Sequence, residues 1–239
     1  VEQSTTCPHC GIIFEKYFKY HSAQKAKPQE TEPPAIIIDN DEAEEHFLKQ
    51  LLLNENRQTN SVYLIPRAIV FICLVIWSWR LISPSIESNA VAESFLHSVN
   101  LPFHEAGHIF FRPFGQFITS LGGTLGQLLM PLICMFTLLI KTRDPFGAAV
   151  AFWWFGENFL DMAPYINDAR AGELPLLGGN FGHSSPYGFH DWEYLLTESG
   201  FIEYDHAIAK LAFAIGVMVM LLALFWSAVL LFKQYQNRD

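Results

Sequence analysis

The chain has 239 residues, 51% hydrophobic and only 16% charged, with a formal net charge of −9. A negative total of that size argues against nucleic acid as a main partner, since phosphate backbones are held by clustered Lys and Arg, although much of the acid lies in one stretch, Glu30 to Glu45. The polar residues crowd into 1–60 and 166–206, and the remainder holds runs long enough to cross a bilayer, for which about 20 mainly apolar residues suffice as helix. Four cysteines fall into two groups: Cys7 and Cys10 form a C-x-x-C, while Cys73 and Cys134 sit in apolar segments, where a lone thiol packs as a small hydrophobe. A secreted disulfide framework is excluded.

Residues 7–20 read Cys-Pro-His-Cys-Gly-Ile-Ile-Phe-Glu-Lys-Tyr-Phe-Lys-Tyr. Thiolates at this spacing hold one side of a tetrahedral zinc. The stretch resembles one knuckle of a bacterial zinc ribbon, which needs a second C-x-x-C. Either that knuckle precedes Val1 or the turn carries no metal; His9 and His21 are the substitute donors. Residues 22–39, rich in Lys, Gln, Glu and Pro, read as a flexible linker. Asn40-Asp41 then caps a short amphipathic helix with Phe47, Leu48, Leu51 and Leu52 at helical spacing.

The first membrane candidate is 63–83, an apolar core from Ala68 to Trp79 between Arg67 and Arg80. A polar stretch, Pro84 to Asn100, leads to a second apolar run ending at Ile140. Thr119, Ser120, Gly122, Gly123, Thr124, Gly126 and Gln127 interrupt it, which suits a helix buried among others or a break in which backbone faces a substrate. A third span runs from Phe146 to about Tyr165 and carries Glu157, Asn158 and Asp161. The fourth, Leu211 to Phe232, has no charge. The expected fold is an all-α integral membrane protein with about four transmembrane helices: a partial zinc-ribbon knuckle at 1–21, linker and amphipathic helix at 22–60, and a membrane-embedded domain at 61–239.

Residues 101–111, Leu-Pro-Phe-His-Glu-Ala-Gly-His-Ile-Phe-Phe, contain H-E-x-x-H at the mouth of the second run. On a helix, residues four apart stand one above the other, so His104 and His108 can grip one metal ion. Glu105 then stands beside the ion, placed to take a proton from water activated there. Unpaired ionisable groups at membrane depth are expensive, which favours a metal over two core histidines.

Short basic loops stay cytoplasmic, and Lys141 with Arg143, and Lys233 with Arg238, mark two such ends; Arg80 departs from the rule. Four spans then place the N-terminus in the cytoplasm, in keeping with reduced thiols at Cys7 and Cys10. The His-Glu motif begins at the outer side. The third span, rising at about 1.5 Å per residue, brings Asn158, Asp161 and Asp168 to the same depth. The outer loop adds His183, His190, Asp191 and Trp192. A catalytic zinc site takes three protein ligands and keeps one open position. The candidates for the third are Asp168, then Asp161, then His190. Against these, Asp168 can pair with Arg170 and Asp161 with a polar neighbour. Asp191 can orient a ligating His190 or cap a helix starting at Trp192.

His104-Glu105-Ala106-Gly107-His108 is similar to the H-E-x-G-H of the site-2-protease-like (M50-like) membrane zinc metallopeptidases. In that family a later asparagine-to-aspartate segment supplies the third ligand. Asn158 through Pro164 to Asp168-Ala169 resembles it in order, with Ala169 where the family has glycine. Across about residues 60–232 the chain looks like bacterial zinc-ribbon membrane proteins with an M50-like core, with Asp168-Ala169-Arg170 and His190-Asp191-Trp192 as matching stretches. The resemblance implies a zinc-dependent metalloprotease of the bacterial inner membrane, a hydrolase of membrane or membrane-proximal substrates. Glu105 would be its general base and Asn158 would donate a hydrogen bond to the oxyanion. Expected partners are the lipid bilayer and either a membrane protein substrate or partner subunits. The alternative is a non-catalytic accessory or assembly subunit of a larger membrane complex, and a third reading is a metal-binding sensor whose knuckle recruits a partner.

Overall fold

In a computed structural model of the protein, the described residues are 12, 13, 15–17, 19, 49–53 and 61–237. The Cys7–Cys10 knuckle, His9, His21 and the linker over 22–39 lie outside them. The chain divides into two compact units, Val1–Glu45 and His46–Asp239. In the first, residues 15–17 and 19 are helical. In the second, residues 49–53 of the expected amphipathic helix are helical, and Trp226 Nε1 donates to the Leu52 carbonyl at 2.9 Å.

Helices account for almost all regular structure in the second unit, where the described residues form no strand and Pro175 and Phe181 make an isolated bridge. Helix α1 is Ser61–Ile82. Helix α2, Phe95–Phe111, starts where Ser94 Oγ accepts the Leu96 N–H at 3.1 Å. It ends at a tight turn, Arg112–Phe114, whose proline cannot extend the ladder. Helix α3 is Gln116–Phe136 and finishes in a π-helical turn, Thr137–Lys141. Asp144 caps α4, Pro145–Asn167, by accepting the Gly147 N–H at 3.2 Å, with Pro145 in the first turn, where no N–H is needed. Helix α5 is Asp191–Glu198 and α6 is Asp205–Gln236.

Among the described residues, three helices are long and apolar enough to cross a membrane: Tyr63–Ile82, Gln116–Lys141 and Ile202–Gln236. The expected third span, α4, is not among them. It has the length, but Glu157, Asn158 and Asp161 lower its hydropathy, and these three side chains are all buried. Its neighbours supply the apolar exterior, so α4 is free to carry polar chemistry inside. Helix α4 packs most extensively on α6. One core cluster joins Leu74 and Leu81 of α1 to Trp153 and Leu160 of α4 and Met220 and Ala223 of α6. A second joins Met162, Ala163 and Ile166 to Leu196, Ala209 and Ala212. Helices α1 and α4 run in the same direction. Arg67 meets Asp144 at 3.0 Å at their starts, and Trp153 Nε1 donates to Ser78 Oγ at 2.7 Å further along.

Helices α2 and α3 form an antiparallel hairpin with backbone nearly touching backbone. A Cβ on Gly107 would collide with the Gly122 carbonyl, and one on Gly126 with the Phe103 carbonyl. The glycine-rich stretch is therefore continuous helix, and of the two readings open in the sequence the structure takes close packing. Its polar members Ser120, Thr124 and Gln127 are buried and line an internal cavity.

Candidate metal centre

His104 and His108 sit on the α2 face that meets α3. Each ring uses one nitrogen to fix itself. His104 Nδ1 donates to Gln127 Oε1 and His108 Nδ1 donates to the Thr119 carbonyl, both at 2.8 Å. Both Nε2 atoms are thereby turned to the same place, and the rings stand edge to face with centroids 4.8 Å apart. Asp191, the first residue of α5, completes the set: its Oδ2 is 3.2 Å from His104 Nε2 and 3.2 Å from His108 Nε2. Among the described residues this is the one group of three or more His, Cys, Asp or Glu whose donor atoms lie within 4.8 Å of one another.

The donor set fits a zinc ion. Donors placed tetrahedrally at zinc–ligand lengths stand about 3.3 Å from each other, which the two Nε2–Oδ2 separations match. Second partners on the ring nitrogens fix the tautomer as ligand histidines require. Gly123 supplies the room: a Cβ there would stand 2.5 Å from His104 Nε2 and 2.7 Å from His108 Cε1. Burial alone would raise the Asp191 carboxyl, but hydrogen bonds and charge from His104 and His108 hold it below its ordinary value. Burial would lower His108, yet Asp191, the Thr119 carbonyl and the nearby Glu105 push it up to about 9. The Asp191 carboxylate therefore favours a proton on His108.

The three residues line a cavity of about 560 Å³ together with Glu105, His97, Asp161, Tyr165, Leu174–Leu177, Phe189 and Trp192. Glu105 is half-buried beside the histidines and faces the same space.

The structure brings His104, Glu105 and His108 together and leaves the other sequence candidates outside the donor set, with Asp161 on the cavity wall. The Asp168 oxygens accept the N–H groups of Glu173 and Leu174 at 2.9 Å each, and Oδ2 lies 3.6 Å from His190 Nε2. His190 is fully buried, accepts the Glu193 N–H on Nδ1 at 3.2 Å as the cap of α5, and stacks on Tyr165 at 4.1 Å. Asp168 and His190 thus act one step back, holding the turn that delivers Asp191. Asp161 bonds His97 and Asn100. Asn158 is buried with its amide donating to the Trp154 carbonyl and does not line the cavity, so it is not placed to meet an oxyanion there. His183 Nδ1 is 2.7 Å from the Gly172 carbonyl.

Asp191 as a donor in its own right is what the sequence reading missed. The adjacent pair His190-Asp191 was visible, but which member faces the histidines depends on the path of the preceding loop. The partners on α3 had a readable signal: Thr119, Gly123 and Gln127 recur every four residues and so form one stripe. No family model matches the chain, and no curated protein or solved structure matches it.

Proposed function

We propose that the protein is a membrane-embedded zinc-dependent peptidase, resembling the site-2-protease-like enzymes, that hydrolyses peptide bonds of membrane or membrane-proximal substrates. One observation carries the reading: two imidazole nitrogens and a carboxylate oxygen converge at 3.2 Å with Glu105 beside them in an open cavity. His104, His108 and Asp191 would hold the ion. When bound, zinc supplies a Lewis acid that activates water and polarises a carbonyl at neutral pH. Glu105 takes the proton from the attacking water and returns it to the departing amine. Tyr165 accepts the Asp191 N–H on its hydroxyl at 3.2 Å, steadying the third ligand from behind. Leu101, Met162, Leu174, Leu177 and Trp192 give the cavity apolar walls suited to an apolar substrate segment.

The three apolar helices favour a multi-pass membrane location. Arg67, Lys141 and Arg143 gather at the end of the bundle away from Asp168 and Asp191, which favours a cytoplasmic N-terminus and an outward-facing site in a bacterial inner membrane. Replacing Glu105 with Gln is expected to leave metal content near wild type and abolish cleavage, whereas replacing His104 and His108 together with Ala is expected to remove the metal. Full metal in the double variant, or undiminished cleavage by Glu105→Gln, would defeat the reading.

A further inference from the structure

The cavity has a second polar end. His97 lies seven residues before His104 on α2, on the same face and two turns away, which separates the two side chains by about 10 Å along the axis. Both line the cavity. His97 Nδ1 is 2.8 Å from Asp161 Oδ1, and Asp161 Oδ2 accepts from Asn100 Nδ2 at 3.0 Å. The orientation of Asn100 is fixed by Trp154, whose Nε1 can only donate and does so to Asn100 Oδ1 at 2.8 Å. Asn100 Nδ2 also reaches Glu157 Oε2 at 3.0 Å.

Asp161 is thus fully engaged on its own side, with 4% of its side chain exposed. The His97 side chain is 37% exposed, and its Nε2 has no hydrogen-bond partner among the described residues. The bond to Asp161 raises the imidazole above its ordinary pKa, against the opposing pull of burial. The other charged groups at the cavity wall are Glu105 and Asp191 at the metal end and Asp161 itself. Neither Lys nor Arg is among the described residues lining it, so His97 is the basic side chain at its own end.

Resting on the peptidase reading, we propose that His97 is a subsite for a substrate carboxylate held about 10 Å from the metal position. At about 3.3 Å per residue of extended chain, the carboxylate stands about three residues from the bond cut. A free C-terminus and an Asp or Glu side chain offer the same group. A carboxylate on an imidazolium N–H is a charge-assisted bond, stronger than the one an amide oxygen makes.

Two matched peptide pairs separate the sources on the metal-loaded full chain in detergent. One pair ends in a free carboxylate or a carboxamide three residues from the scissile bond; the other carries Glu or Gln there. Wild type is expected to favour at least one acid over its amide by about tenfold or more in KM, with kcat little changed. His97→Gln is expected to abolish that preference and keep the amide peptide within about twofold of wild type. A hydroxamate with a three-residue tail ending in carboxylate, compared with its amide, gives the same contrast by direct binding without turnover. Equal handling of acid and amide by wild type in both pairs overturns the subsite, whether or not the variant folds. So does a preference that survives in His97→Gln with metal content intact. If wild type engages no peptide and no hydroxamate, the peptidase reading itself has failed.

Discussion

The α2–α3 hairpin presents His104 and His108 through contacts between glycine backbones, whereas Asp191 arrives at the end of a long loop pinned by backbone N–H groups donating to Asp168, His190 and Tyr165. The first arrangement leaves no room for an added atom where backbone meets backbone, at Gly107, Gly122 and Gly126. The second tolerates small changes in shape and depends on the charge of a carboxylate. One centre therefore has a rigid half and a half that chemistry can loosen, and substitutions can be aimed at either.

The largest effect is expected from Gly107→Ala. Its Cβ would meet the Gly122 carbonyl, backbone against backbone, so the helices must part at a cost of about 1–3 kcal/mol or more. Thermal unfolding and metal content should fall together. Gly123→Ala attacks the centre while sparing the hairpin: its Cβ meets imidazole atoms, which can swing away. Metal affinity is expected to drop by roughly a hundredfold with the melting temperature little changed, since ligand placement is lost and packing is not. Equal loss of stability in the two variants would erase the distinction between hairpin and centre.

On the loop side, Asp168→Asn is expected to weaken metal binding by about tenfold, the scale of a lost outer partner, with α2–α3 amide exchange unchanged. The smallest effect is an acid response confined to the loop. Burial pushes the Asp168 carboxyl up, but His190 and the N–H groups of Leu174 and Glu173 outweigh it and hold it below its ordinary value. Its stabilisation is full above the ordinary carboxylate pKa of about 4 and is lost as pH falls through the lower folded value. The Glu173 and Leu174 amides should lose exchange protection there, while those of α2 keep theirs.

That same division decided what could be read from the chain. His104, Glu105 and His108 were legible because a helix converts spacing into position, and the α3 helix followed from its apolar length. Asp191 was not, because no periodicity fixes where a loop of 168–190 returns. Asp168 looked the better ligand from its order after Asn158, yet its oxygens are taken by backbone N–H groups that no pattern announces. Helix α4 reads as a membrane span from its apolar run, but its burial depends on neighbours distant in sequence.

The Arg67–Asp144 pair has a further consequence. It joins the starts of two helices that run the same way, so the cavity mouth belongs to the opposite end of the bundle. The molecule has two unlike poles. On the proposed membrane embedding, an impermeant inhibitor that reaches the cavity and an impermeant label that reaches the cysteine of Arg143→Cys are expected to act from opposite compartments of a sealed vesicle.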